Sequence, residues 1–292
     1  MKIKKQFVGL AKPLVDKFPR VALAYRAFRD QRRLSDDPVA TPMGFKMIGN
    51  PEMGKGSFEP EETEIVKHLL KHAEVCINVG ANIGYYSCLA LKHGNYTLAF
   101  EPIGTNLEYL YRNIRANHWE KSIEIFPIAL SNQVGIIEIF GGGTGASLIK
   151  GWAGTPEHYV NMVPTSTLDN ILGQRFSNKR CLIIVDIEGA EKFMLEGATS
   201  ILSRELKPIW LVEISISEHQ PQGVTINPNL LSTFRFFWDR GYEARTADKR
   251  LHFVQPDEIE SIVESGEDTL TTHNFLFIEK GRKKEFLDIQ AS

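Results

Sequence analysis

A chain of 292 residues, 42% hydrophobic and 10% aromatic, can bury one large core or a core with a small appendage. Its 34 basic residues against 36 acidic ones argue against a nucleic-acid binder whose whole surface acts as a cationic field. No stretch has the roughly 20 predominantly apolar residues of a membrane span. The N-terminus lacks the apolar core and cleavage site of a secretory signal, so a cytoplasmic protein is expected.

The charge is unevenly spread: residues 1–33 carry ten Lys or Arg against Asp16 and Asp30, a net of +8, which leaves −10 for the remainder. Within them Ile3, Phe7, Leu10, Leu14, Phe18, Val21, Tyr25 and Phe28 recur at helical spacing, interrupted by Pro13 and Pro19. A basic amphipathic stripe of this kind packs on a catalytic domain or makes peripheral contact with an anionic membrane surface; the two prolines favour packing. Residues 34–57, rich in Asp, Pro and Gly, read as a linker. The expected organisation is therefore a basic N-terminal helical segment and linker, 1–57, followed by one domain, 58–292.

From Phe58 onward strands alternate with helices, which predicts an α/β fold with a mostly parallel sheet covered on both faces. Helices are predicted over 61–72, 83–92, 105–117, 190–202 and 230–240. Strands are predicted over 75–79, 97–100, 122–127, 136–140, 181–185, 209–212, 242–245 and 274–278. Residues 141–154, with Gly-Gly-Gly-Thr-Gly-Ala-Ser-Leu, read as a mobile loop. Cys76, Cys88 and Cys181 lie among apolar neighbours without metal or redox spacing, and are expected to be reduced core thiols.

In such a sheet ligands bind beyond the carboxyl ends of the strands. Four strand ends carry polar groups: Gly80 to Asn82, Glu101, Asp186 to Glu188, and Glu213. Gly80-Ala81-Asn82-Ile83-Gly84 permits a tight strand-to-helix turn but lacks the middle glycine that admits a pyrophosphate, which disfavours NAD. Glu101, at the end of the next strand, is placed to accept hydrogen bonds from the hydroxyls of a ribose. A ribose site without a pyrophosphate cradle points to an adenosyl ligand.

Several segments together resemble the FkbM-type methyltransferases: Phe58 to Thr63, Asn78 to Tyr86, Ala99 to Pro102, Ile128 to Ser131, Gly145 to Leu148, Thr167 to Asp169, and Val185 to Glu191. The resemblance runs from about residue 58 to 280. It implies a Rossmann-like class I methyltransferase fold, with a seven-stranded sheet whose last strand is antiparallel, S-adenosyl-L-methionine as cofactor, and methyl transfer to a hydroxyl of a sugar, glycan or small metabolite. It further implies that Gly80 and Asn82 lie along the methionine part of the cofactor, that Glu101 holds its ribose, and that Ala129 and Leu130 edge its adenine. Glu59, Asn78, Gly84, Pro102, Ser147 and Asp186 belong to the same cofactor set by position. Asn78 stands where the family usually has Asp, which removes a charge that would favour the cofactor's ammonium group.

Asp186, Glu188 and Glu191 are the candidate general bases, since crowded carboxylates raise one another's pKa toward neutrality. His219 is the reserve candidate. Glu191 has a plainer reading as an acid at a helix N-terminus, and Asp186, Glu188 and Glu213 an alternative one as ligands to a divalent cation; no metal ligand is assigned. Trp152 and Tyr159 read as either a sugar-stacking wall or loop anchors. Two rival functions stand beside the methyltransferase: a binding protein that kept the fold and lost activity, and an NAD-dependent oxidoreductase.

Overall fold

The computed structural model describes residues 37–270 and 272–282. The basic stripe of residues 1–33 lies outside the described residues. In chain order come the antiparallel pair β1 (Val39–Ala40) and β2 (Lys46–Met47), then α1 (Pro51–Lys55) and α2 (Pro60–Leu70). There follow β3 (Val75–Val79), α3 (Tyr85–Lys92), β4 (Tyr96–Phe100), α4 (Gly104–Ala116) and β5 (Ile123–Phe126). A separate small sheet is built from β6 (Ala129–Leu130), β7 (Gly135–Phe140) and β8 (Val160–Ser166). The chain then forms α5 (Leu168–Leu172), β9 (Cys181–Val185), α6 (Glu191–Glu196), α7 (Thr199–Leu202) and β10 (Ile209–Glu213). It closes with α8 (Leu230–Trp238), β11 (Tyr242–Thr246), β12 (Phe253–Val254), α9 (Pro256–Ser265) and β13 (Asn274–Glu279).

The main sheet has the order β12-β11-β13-β10-β9-β3-β4-β5. β10, β9, β3, β4 and β5 are mutually parallel, while β13 runs antiparallel between β10 and β11. This is the Rossmann-like class I methyltransferase arrangement, with the last strand inserted antiparallel. It differs from the expected seven strands by the two-residue edge strand β12. Strand alternation divides the core in two. Ile77, Val79, Ile183 and Val185 face α6, α7 and α8 through Met194, Ile201 and Phe234. Cys76, Leu182 and Ile184 face α2, α3 and α4 through Leu69, Leu89 and Leu110. The three cysteines are buried and unpaired, and burial pushes their thiols up to about 12, 12 and 11 for Cys76, Cys88 and Cys181.

Residues 41–56, expected as a linker, supply core. Phe45, Met47, Ile48 and Met53 are buried in the cluster with α3 and α4. Asn113 fixes them there: its Oδ1 accepts from Ile48 N at 2.7 Å, and its Nδ2 donates to Ile48 O at 3.2 Å and Ile83 O at 2.8 Å. The helix expected over 190–202 is two helices. A Cβ on Gly197 would stand 2.2 Å from Ser131 O, so the chain turns where it passes under β6. Asp169 then accepts from Ser200 N and Ile201 N to cap α7, while Thr167 caps α5 through Asn170 N. The Thr-Leu-Asp segment is thus a pair of helix caps. No helix among the described residues is long and apolar enough to cross a membrane.

Candidate functional site

The chain leaves β3 toward β4 on one side and continues from β9 to β10 on the other, so strand order reverses between β3 and β9 and a crevice opens beyond their carboxyl ends. The two tips press together: Asp186 N donates to Val79 O at 3.0 Å, and a Cβ on Gly80, whose φ is +81°, would fall 1.7 Å from Asp186 O. Only glycine fits there. A partly open cavity starts at this point and runs under the small sheet.

One end of the cavity is apolar, lined by Ile103, Ile128, Ala129, Leu130, Ile139, Ala146 and Leu148. β7 and β8 provide its roof, since Ile139 and Val163 point inward with Ile103 and Ala129. The other end is polar, with Gly80, Asn82, Asp186 and Glu188. Glu101 lies between them, 4% exposed. Its Oε2 accepts from Asn82 N at 2.8 Å, and its Oε1 from Ile103 N at 2.8 Å and Asn106 Nδ2 at 3.2 Å. Burial nevertheless outweighs these three donors and pushes its pKa up to about 7. With three of about four lone-pair sites used, Oε2 retains accepting capacity toward a ligand.

Beyond the polar end the carboxylates gather. Burial, then Glu213, Glu188, Glu59 and Glu101, hold the Asp186 carboxyl well above the usual range. Burial with Glu188, Glu191 and Glu59 pushes Glu213 up to about 8, although Asp186 hydrogen-bonds to it and offsets part of the rise. Two such groups in contact titrate as a pair. Glu59, at the left-handed φ of +39°, accepts a hydrogen bond from the buried Tyr86 hydroxyl, and its pKa is raised chiefly by burial. His273 stands at the outer rim, 3.2 Å from Glu218 and 4.0 Å from Glu213. No group of three or more His, Cys, Asp or Glu among the described residues is arranged to hold a metal ion.

The sequence-predicted residues divide accordingly. Gly80, Asn82, Glu101, Pro102, Ala129, Leu130, Asp186 and Glu188 line the cavity. Asn78 does not: strand alternation turns it to the opposite face with Cys76, where its Nδ2 donates to Ser87 Oγ at 2.9 Å. Gly84 serves helix packing, because a Cβ there would meet Leu110 Cδ1 at 2.4 Å. Glu191 is 2% exposed and bends back, accepting from Gly189 N at 2.9 Å, with burial pushing its pKa up to about 8. These contacts fit the plainer reading of an acid at a helix N-terminus, and Glu191 does not line the cavity. His219 is exposed and outside the cavity. Ser147 is buried, its hydroxyl donating to Glu188 O. Trp152 is 2% exposed, an anchor and not a wall. Asn106, Tyr86 and His273 had no role in the reading of the sequence. Of these, Asn106 alone carried a signal, since it lies in the first turn of the helix that follows the strand-end acid it contacts.

The sequence profile of the Methyltransferase FkbM domain matches residues 78–244, more than half of the chain. No curated protein matches. Among solved structures the chain is similar to a methyltransferase FkbM from Methylobacillus flagellatus KT at 17% identity, over 70% of this chain and 44% of that one, with a TM-score of 0.42. It therefore spans less than half the length of that protein. It is also similar to an O-methyltransferase from Bacillus cereus in complex with S-adenosylhomocysteine, at 12% identity over 76% and 82% of the two chains, TM-score 0.40. A third is the magnesium protoporphyrin IX methyltransferase from Synechocystis PCC 6803 with bound S-adenosylmethionine, at 10% identity over 87% and 91%, TM-score 0.40.

Proposed function

The chain belongs to the FkbM methyltransferase family, whose cofactor is S-adenosylmethionine, and from that premise we propose that it methylates a hydroxyl oxygen on a sugar, glycan or other small metabolite, with a carboxylate as general base. The observation that carries the reading is one cavity that joins an apolar slot, the buried acid Glu101 just beyond β4, and the carboxylates of Asp186 and Glu188 just beyond β9. When bound, S-adenosylmethionine supplies a sulfonium methyl group, an electrophile with a good leaving group already attached.

The chain's own residues supply the rest. Glu101 accepts hydrogen bonds from the ribose hydroxyls, Ile103, Ala129, Leu130 and Leu148 exclude water around the adenine, and the backbone at Gly80 and Asn82 borders the methionine part. Asp186 lines the cavity beside Glu188, with Glu213 behind it, and in its ionised form would accept the proton of an acceptor hydroxyl. A pKa raised toward neutrality suits that task, and holding the two reactants in line supplies the remaining acceleration. The crowded carboxylates also disfavour an acceptor that is itself anionic near the transferred methyl.

Isothermal titration with S-adenosylhomocysteine tests the cofactor site, and a screen of hydroxylated acceptors with wild type and Asp186→Asn tests the chemistry. Binding lost in Glu101→Ala and turnover lost in Asp186→Asn are expected. Wild-type protein that does not bind S-adenosylhomocysteine would refute the reading. Methylation of a nitrogen or carbon acceptor with no hydroxyl product would refute its oxygen specificity.

A further inference from the structure

Trp152 sits in a loop whose glycine content suggests mobility, yet it is among the most enclosed side chains of the protein. Its indole Nε1 donates to Glu188 Oε2 at 2.7 Å. Its six-membered ring fills the space over Gly189, where a Cβ would stand 2.4 Å from Cζ3. The next residue ties the loop to a second one: Ala153 N donates to His219 O at 2.7 Å, and the His219 ring lies 6.1 Å from the Trp152 ring. Ser147, earlier in the same loop, donates its hydroxyl to Glu188 O. Glu188 is thus held at its backbone by Ser147 and at its carboxylate by Trp152.

Glu188 needs such restraint. Its φ is +57°, a left-handed conformation that strains a side-chain-bearing residue and persists only where neighbours enforce it. Ala153 and His219, on the two segments that meet at Trp152, are left-handed as well. A carboxylate on a strained turn, unclamped, would swing away from the cavity it lines.

On the footing of the cofactor cavity assigned above, we propose that Trp152 is a positioning residue: it aims the Glu188 carboxylate into the polar end of the cavity and so sets cofactor affinity without lining the cavity itself. Ring packing and hydrogen bonding are separable. Trp152→Phe keeps an aromatic ring over Gly189 and removes the N–H donor. Glu188→Ala removes the acceptor and adds no backbone strain, because alanine and glutamate carry the same Cβ penalty at positive φ.

The test is a double-mutant cycle on binding of S-adenosylhomocysteine, measured by titration calorimetry on the full chain, with melting temperatures recorded for every variant. Trp152→Phe is expected to raise the Kd about tenfold, the loss of one hydrogen bond to a carboxylate. In the Glu188→Ala background the same substitution is expected to change Kd by less than about twofold. Additive effects in the cycle, or unchanged affinity in Trp152→Phe, would overturn the proposal, since a residue acting only on general stability lowers affinity equally in both backgrounds. If Trp152→Phe does not fold, the cycle is run with Trp152→His, which keeps a ring donor and is expected to retain more affinity than Trp152→Leu; equal loss in the two would also overturn it. Wild-type protein that fails to bind S-adenosylhomocysteine would instead refute the cofactor assignment, a result the melting curves and the cycle keep distinct.

Discussion

Lowering the pH should weaken cofactor binding through one identified group. Glu101 has a pKa of about 7 in the ligand-free protein because burial outweighs three hydrogen-bond donors. A ribose diol donates more strongly to the carboxylate than to the carboxylic acid, so binding favours the ionised form and lowers that pKa. Affinity is then set by the fraction of free protein with Glu101 ionised: nearly all at pH 8, about half at pH 7, and about one part in eleven at pH 6, so Kd rises about tenfold from pH 8 to pH 6. Titration calorimetry with S-adenosylhomocysteine at half-unit intervals measures the slope. Glu101→Gln removes the titrating group, and should bind more weakly at pH 8 with a flatter profile. A wild-type Kd constant from pH 6 to 8, or a Glu101→Gln profile as steep as wild type, would refute the assignment of Glu101 to the ribose.

Three further outcomes follow from the geometry. The folded-state pKa of Glu191 is raised to about 8 by burial, so the folded chain holds a proton that the unfolded chain releases near 4.5. The associated stability is complete below that lower value and is lost as pH rises through about 8, a change on the order of a few kcal/mol. Thermal melts from pH 5 to 8.5 should therefore show a decline that Glu191→Gln reduces, and an identical decline in the variant would count against it. Asn113→Ala should lower stability by at least ~2 kcal/mol in a urea titration, because it orphans the buried N–H and carbonyl of Ile48 and the carbonyl of Ile83. Asn78→Asp should leave S-adenosylhomocysteine affinity within about twofold, while burying a carboxylate beside Ser87 lowers the melting temperature; a clear gain in affinity would return Asn78 to the cofactor site.

The sheet was legible where burial is two-sided. β3 and β9 coincide with the predicted 75–79 and 181–185, since a short run that is apolar but for Asn78 in β3, followed by Gly80 or Asp186, fits a central parallel strand and little else. β8 was lost because Val-Asn-Met-Val-Pro-Thr-Ser is polar, contains proline and is buried only toward its end. α9 was lost although Pro256 at its first turn, Asp257, Glu258 and Gly266 at its end are ordinary boundary signals. Residues 41–56 looked like linker because Gly and Pro report turns, and turns say nothing about whether Phe45 and Met47 between them are buried.

Site residues were legible to the degree that their role is local. Glu101 announces itself because an acid closing a strand after a glycine turn has its place fixed by the strand alone. Asn78 misled for the complementary reason: two residues before Gly80 it shares the strand's sequence neighbourhood, but pleating decides its face, and the face is that of Cys76 and α3. Trp152 and Tyr86 act through partners 36 and 27 positions away, Glu188 and Glu59, which only the folded chain brings within hydrogen-bonding distance. The fixed strand tips place the reacting groups, and groups from distant loops hold them there, so substitutions in the loop around Trp152 should alter cofactor and acceptor handling while the sheet keeps its stability.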